Sequence, residues 1–133
     1  MRILRTLTLV AAMAATPALA NPDAIRNTIQ SQIDAFLADD FSTAFSYASP
    51  TIQTLFGSAE NFGAMVRGGY PMVWRPEDVR YLDLREENGF LWQNILITDG
   101  DGQRHILEYQ MIQQENGWKI NGVRYVRATS PSA

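Results

Sequence analysis

The 133-residue sequence has no cysteine, one histidine and no apolar run long enough to span a bilayer. The first absence removes disulfides, thiol nucleophiles and lipid attachment at a cysteine. A lone His105 without cysteine partners argues against a structural or catalytic zinc site. Ser46, Ser49 and Ser58 have no G-x-S-x-G elbow around them, so His105 alone makes no triad with them. There is no glycine-rich phosphate loop. Asp99-Gly100-Asp101 opens like a calcium loop, but Gln103 stands where the third ligand belongs and no glutamate closes the loop. The adjacent Asp39 and Asp40 are better placed to cap a helix and complement its dipole than to act as an acid–base pair. No metal and no cofactor are expected.

Basic residues are scarce as well. The chain carries 11 lysines and arginines against 14 acids, and two of the arginines, Arg2 and Arg5, lie at the extreme start. The acids are scattered, and no basic face is left for nucleic acid or an anionic membrane.

Arg2 and Arg5, the apolar stretch 7–15 and the small-residue end Ala18-Leu19-Ala20 together form the pattern of a cleavable export signal. The apolar stretch is well short of the ~20 residues of a transmembrane helix, and the paired arginines of a twin-arginine signal are missing. Residues 1–20 are therefore expected to be removed after Ala20. The mature protein would be periplasmic or secreted, without membrane insertion. Residues 21–127 make one domain, long enough to bury about two thirds of the surface its unfolded chain exposes. Residues 128–133 are expected to form a short disordered tail.

Within that domain the hydrophobic period changes once. Ile25, Ile29, Ile33, Phe36 and Leu37 recur at helical spacing, with Asn21 as cap and Pro22 at the first helical position. Asp39 and Asp40 open a second short helix carrying Phe41, Ala44, Phe45 and Ala48, which stops before Ser49-Pro50. A brief turn carries Ile52, Leu55 and Phe56 to Gly57. Ser58 then caps a third helix, with Phe62, Met65 and Val66 inside and Gly68-Gly69 at its end. From residue 79 the period is that of strands, in the runs 79–86, 90–98, 104–114 and 118–127. Asn88-Gly89, the 99–102 turn and Asn116-Gly117 join them. Tyr81-Leu82 disturbs the alternation of the first run, which leaves undecided whether the carboxylates of Asp83 and Glu108 face inward. The fold expected is α+β: N-terminal helices packed on one face of a curved antiparallel four-stranded sheet.

Asp34-Ala35-Phe36 through Asp40-Phe41, Ala44-Phe45, Ala48-Ser49-Pro50 and the closing 117–123 stretch resemble the nuclear transport factor 2-like (cystatin-like, SnoaL-like) superfamily. Phe45-Ser46-Tyr47-Ala48-Ser49-Pro50, Phe56-Gly57-Ser58-Ala59-Glu60 and the 69–76 stretch are similar to the bacterial domain-of-unknown-function family 4864. The resemblance covers essentially all of the mature chain. It implies a cone-shaped domain whose helices and bent sheet enclose an apolar pocket open at one end. The superfamily holds isomerases, dehydratases, carriers and dimerisation modules, so the likeness implies no reaction. The aspartate base and tyrosine–acid oxyanion pair of its steroid-isomerase members have no counterpart here.

Alternation puts His105, Leu107, Tyr109 and Met111 on one face of the third strand, and Ile106, Glu108, Gln110 and Ile112 on the other. On the second strand Phe90, Trp92, Asn94 and Leu96 oppose Leu91, Gln93, Ile95 and Ile97. A half-apolar second face predicts a homodimer through the outer side of the sheet. The 68–76 segment is unusually apolar for a connection, and serves either as a core plug or as a lid hinged on its glycines. Candidate pocket residues are Met65, Tyr70, Met72, Trp74, Trp92 and Tyr109, with Arg67 and Arg75 placed to meet a carboxylate. His105 and Tyr109 are the candidates for proton transfer, His105 at a solvent-bathed rim beside the 99–102 turn. Three functions fit: a module binding a small, largely apolar molecule, a small-molecule enzyme of isomerase or dehydratase type, or a non-catalytic dimerisation module of the envelope. The visible pocket-forming residues favour the first, since no catalytic constellation is apparent.

Overall fold

The computed structural model describes residues 21–129, and the proposed export signal lies outside them. Helix α1 (Pro22–Leu37) begins where the sequence places it, with Asn21 Oδ1 accepting the amide of Ala24 at 3.1 Å. Pro22 takes a position whose N–H would have no helical partner. Ile25, Ile29, Ile33 and Phe36 are buried along one stripe. Complete burial of such side chains is worth about 1.5–3 kcal/mol each. Leu37 does not continue the stripe: it is 45% exposed, because the chain turns away at once through Asp39, whose φ is 55°.

Helix α2 (Phe41–Ser46) is capped by Asp40, which accepts the Thr43 amide at 3.2 Å. The segment after it is a helix and not a turn. In α3 (Pro50–Phe56), Ser49 Oγ accepts the Ile52 amide at 3.2 Å, Pro50 leads, and Gly57 closes the helix at φ 81°. Helix α4 (Ala59–Gly69) is capped by Ser58, and a further short helix, α5 (Pro71–Trp74), follows Tyr70. The 68–76 segment is thus helical at its centre, with Met72 and Val73 buried in the core. No helix among the described residues is long and apolar enough to cross a membrane.

Strands β1 (Asp78–Glu87), β2 (Phe90–Thr98), β3 (Arg104–Gln114) and β4 (Gly117–Thr129) form one antiparallel sheet in chain order. The fold is α+β. Strand β4 runs on to Thr129, so Ala128 and Thr129 belong to the sheet and not to a tail. Asn88 and Gly89, at φ 54° and 84°, make the tight left-handed turn that matches strand twist. The disturbed period in β1 is a register shift between Tyr81 and Leu84, which leaves Asp83 exposed. Gln93 Nε2 holds the bulge by donating to Leu82 O at 3.1 Å and Asp83 O at 3.3 Å. Two more shifts bend β3 against β4, after Ile106 and after Gln110.

The helices lie over the face formed by Gln93, Ile95, Ile97, His105, Leu107, Tyr109 and Met111, all buried. The junction of α2 and α3 is tied to β4: Ser49 N donates to Ile120 O at 2.8 Å, and Ile120 N donates to Tyr47 O at 2.9 Å. On the outer face Glu108 is buried between two arginines. Arg85 Nη2 donates to it at 2.7 Å and Arg124 Nε at 2.6 Å. Burial alone would raise the Glu108 carboxyl, but these two hydrogen bonds outweigh it and hold the group below its ordinary value.

Candidate functional site

The buried stripe Ile25, Ile29, Ile33 and Phe36 pulls α1 onto the sheet, while α3 has no fully buried residue. Between them the packing leaves a cavity of about 250 Å³. Its deep wall is Phe36 of α1, Phe62 and Val66 of α4, Val73 of α5, Tyr109 of β3 and Ile120 of β4. Its outer wall is more exposed and comprises Ile52, Leu55 and Phe56 of α3, Met65, Tyr70 and Val123, with Leu55 at 70% exposure. The ring of Phe62 packs against those of Phe36, Phe45 and Phe56 at centroid distances of 5.2–5.9 Å, which stiffens the α4 side.

Polar groups are few. Gln32 lines the cavity with its Nε2 already donated to Ala44 O at 3.1 Å, and Tyr70 Oη donates to Val123 O at 3.4 Å. Tyr109 is completely buried, and its hydroxyl has no partner among the described residues. Burial, with smaller contributions from Tyr81 and Tyr70, pushes that phenol above its ordinary pKa, so it remains protonated. Among the described residues no charged side chain belongs to the lining.

Of the candidates named from the sequence, Met65, Tyr70 and Tyr109 line this cavity. Met72, Trp74, Trp92, Arg67 and Arg75 lie elsewhere. Met72 is core. Trp74 Nε1 donates to Asp39 Oδ1 at 3.0 Å, and Arg75 Nη2 donates to both oxygens of the same carboxylate at 2.9 and 3.0 Å. Those bonds from Trp74 and Arg75 hold the Asp39 carboxyl below its ordinary pKa. Arg75 Nη1 also reaches Phe36 O at 2.9 Å, so this arginine closes the C-terminus of α1 and is not free for a ligand carboxylate. Arg67 lies over the Phe41 ring at 5.1 Å. Trp92 is on the outer sheet face beneath Arg124, whose guanidinium is 3.8 Å from the ring centroid.

His105 is at the other end of the inner face and is not a solvent-bathed rim residue. It is 8% exposed and held on both ring nitrogens, Nε2 being 2.8 Å from Asp99 Oδ2 and Nδ1 2.8 Å from Tyr125 Oη. A carboxylate only accepts, so in the neutral imidazole Nε2–H donates to Asp99 and Tyr125 donates to Nδ1. The Asp99 carboxyl is held below its ordinary pKa, chiefly by the bond from His105. Neither His105 nor its two partners lines the cavity.

Sequence reasoning missed most of the wall: Phe36, Ile52, Leu55, Val66, Val73 and Ile120. Apolar spacing marks them as inward-facing, and nothing local says which inward-facing residues border empty space. Among proteins of known families, the model described as a domain of unknown function (DUF4864) matches residues 18–133. No curated protein and no solved structure matches the chain.

Proposed function

We propose, for a chain that belongs to the DUF4864 family, that it is an exported module holding a small, largely apolar molecule in the cavity between α3, α4 and the sheet. The observation that carries this reading is a space of about 250 Å³, open on its α3 side, whose lining is almost wholly apolar and whose inner wall is built from core residues. Interiors normally pack without voids of this size, and an apolar pocket with a few polar groups is the usual form of a small-molecule site. The test is titration with benzene followed by methyl NMR. Shifts confined to the lining methyls of Ala48, Ile52, Leu55, Met65, Val66, Val73, Ile120 and Val123 are expected, and undisturbed methyls at saturating benzene overturn the reading. Native mass spectrometry of the purified protein would identify a molecule carried through purification.

Export rests on residues 1–20. The first helical cap, Asn21, directly follows the expected cleavage point, so removal of the signal leaves the domain intact. The intact mass of the secreted form should correspond to a chain starting at Asn21.

For the outer sheet face the proposed occupant is a second copy of the chain. Trp92, Leu96, Ile106 and Ile112 are only half-buried there. The nearby charges, Arg85, Glu87, Glu108 and Arg124, are already paired with one another, so a like surface can cover the face without stranding an ion. Sedimentation at micromolar concentration should give a dimer that Ile106→Lys dissociates; a wild-type monomer removes this proposal.

A further inference from the structure

The two ends of the cavity offer a bound molecule opposite surroundings. Among the described residues only Gln32, Tyr70 and Tyr109 bring polar side chains to its lining. Gln32, 3% exposed, gives its Nε2 to Ala44 O at 3.1 Å, and Tyr70 gives its hydroxyl to Val123 O at 3.4 Å. The Tyr109 hydroxyl is sealed among its own neighbours, so nothing that fills the cavity reaches it. The rest of the deep wall is Phe36, Phe62, Val66, Val73 and Ile120, all buried apolar residues. A hydroxyl, amide or ion carried to that wall would leave water and find no free donor or opposite charge to replace it.

The α3 side is open and wet. Leu55 is 70% exposed there, Ile52 and Phe56 are half-buried, and the polar Thr51 and Thr54 of the same helix are exposed. A space open on one side does not enclose its occupant, so one end of whatever fills it meets solvent. A wholly apolar occupant would extend the exposed apolar surface of Leu55, at a cost proportional to the added area. A polar end at this point keeps its hydration. Size sets the buried part: about 150 Å³ accommodates benzene, so about 250 Å³ suits roughly ten non-hydrogen atoms.

We infer that the ligand is a single-headed amphiphile bound tail first, with an apolar part of about ten non-hydrogen atoms against the deep wall and its one polar end projecting past α3 into water. The inference rests on the carrier reading and adds the class of the ligand and its direction in the cavity. The wall selects the tail by shape and apolarity, and the head is selected only by having to remain hydrated.

Methyl NMR titration with 1-hexanol, 1-octanol, 1,8-octanediol and octyl glucoside below its micellar concentration tests the inference. Affinity should rise about four-fold per methylene from hexanol to octanol. Octyl glucoside should bind within about three-fold of octanol because its sugar stays outside, whereas the diol should bind at least about ten-fold more weakly because its second hydroxyl is carried to the deep wall. A diol that binds as tightly as octanol, a glucoside that does not bind, or an affinity that ignores chain length overturns the inference, while benzene binding leaves the carrier reading in place. Absence of binding by octanol and benzene alike removes both. The direction is read at an exposed position: the octanoate-to-octanol affinity ratio should be about two- to ten-fold higher in Leu55→Lys than in Leu55→Glu. Equal ratios in the two variants overturn the placement of the polar end at α3, and with it the inference.

Discussion

Helices α3 and α5 are both short, both begin with proline and both border the same cavity, yet they are held in opposite ways. Helix α5 buries Met72 and Val73, and its end is fastened by Trp74 and Arg75 to Asp39 and to the last turn of α1. Helix α3 has no fully buried residue, only Ile52 and Phe56 half-buried against the core, and leaves Leu55 70% exposed. Low burial is the property of segments that open locally at little cost. The difference assigns fixed wall to α5 and the yielding side to α3, although glycines at 68 and 69 make the α5 segment look hinged in the sequence.

That contrast can be broken by substitution. Met72→Ala should have the largest effect, about 2–4 kcal/mol lost in denaturant unfolding, since it empties a packed site on the fixed side. Gly63→Ala follows, because an added Cβ would lie 2.7 Å from the Phe41 ring where α4 meets α2. A loss of about 1–3 kcal/mol is expected, with the α2–α4 contact disturbed in NMR. Asp39→Asn tests the fastening itself and keeps a residue type that tolerates the φ of 55°. The folded pKa of Asp39 is depressed, so its stabilisation is complete above the unfolded value of 3.8 and is lost as pH falls through the folded one. Wild type should therefore lose part of its advantage over Asp39→Asn in acid, and parallel stability–pH curves would show that the pair holds nothing. Leu55→Ala on α3 should be smallest, within about 0.5 kcal/mol, while changing the rate at which benzene enters and leaves. If Leu55→Ala destabilises as much as Met72→Ala, the two helices are equally fixed and the entry side is misplaced.

The sheet was legible because alternation and turn chemistry are local. Asn88-Gly89 and Asn116-Gly117 bracket β2 and β3, whose ends fall where expected, while β1 and β4 run one or two residues further, and the misfit at Tyr81-Leu82 is the bulge itself. The signals for α3 were also present, Ser49-Pro50 before it and Gly57 after it, but seven residues with three scattered apolar positions resemble a turn. The site was much less legible. Trp92 and Tyr109 are equally aromatic candidates, and alternation says only that their strands each have two faces. His105 sits beside a solvent-exposed turn in the chain, yet Tyr125, 20 residues away, helps to enclose it through the pairing of β3 with β4.

By itself the sequence determined three of the five helices and all four strands in order, with their caps and hairpins, and which residues share a face, because each of these depends on neighbours within a few positions. Only the tertiary structure decided which face became the interior, which arginines were consumed in pairs, and where about 250 Å³ stayed unfilled. Those are sums over side chains brought together from distant parts of the chain. A void is what remains when such volumes do not add up to the space the helices and the bent sheet enclose.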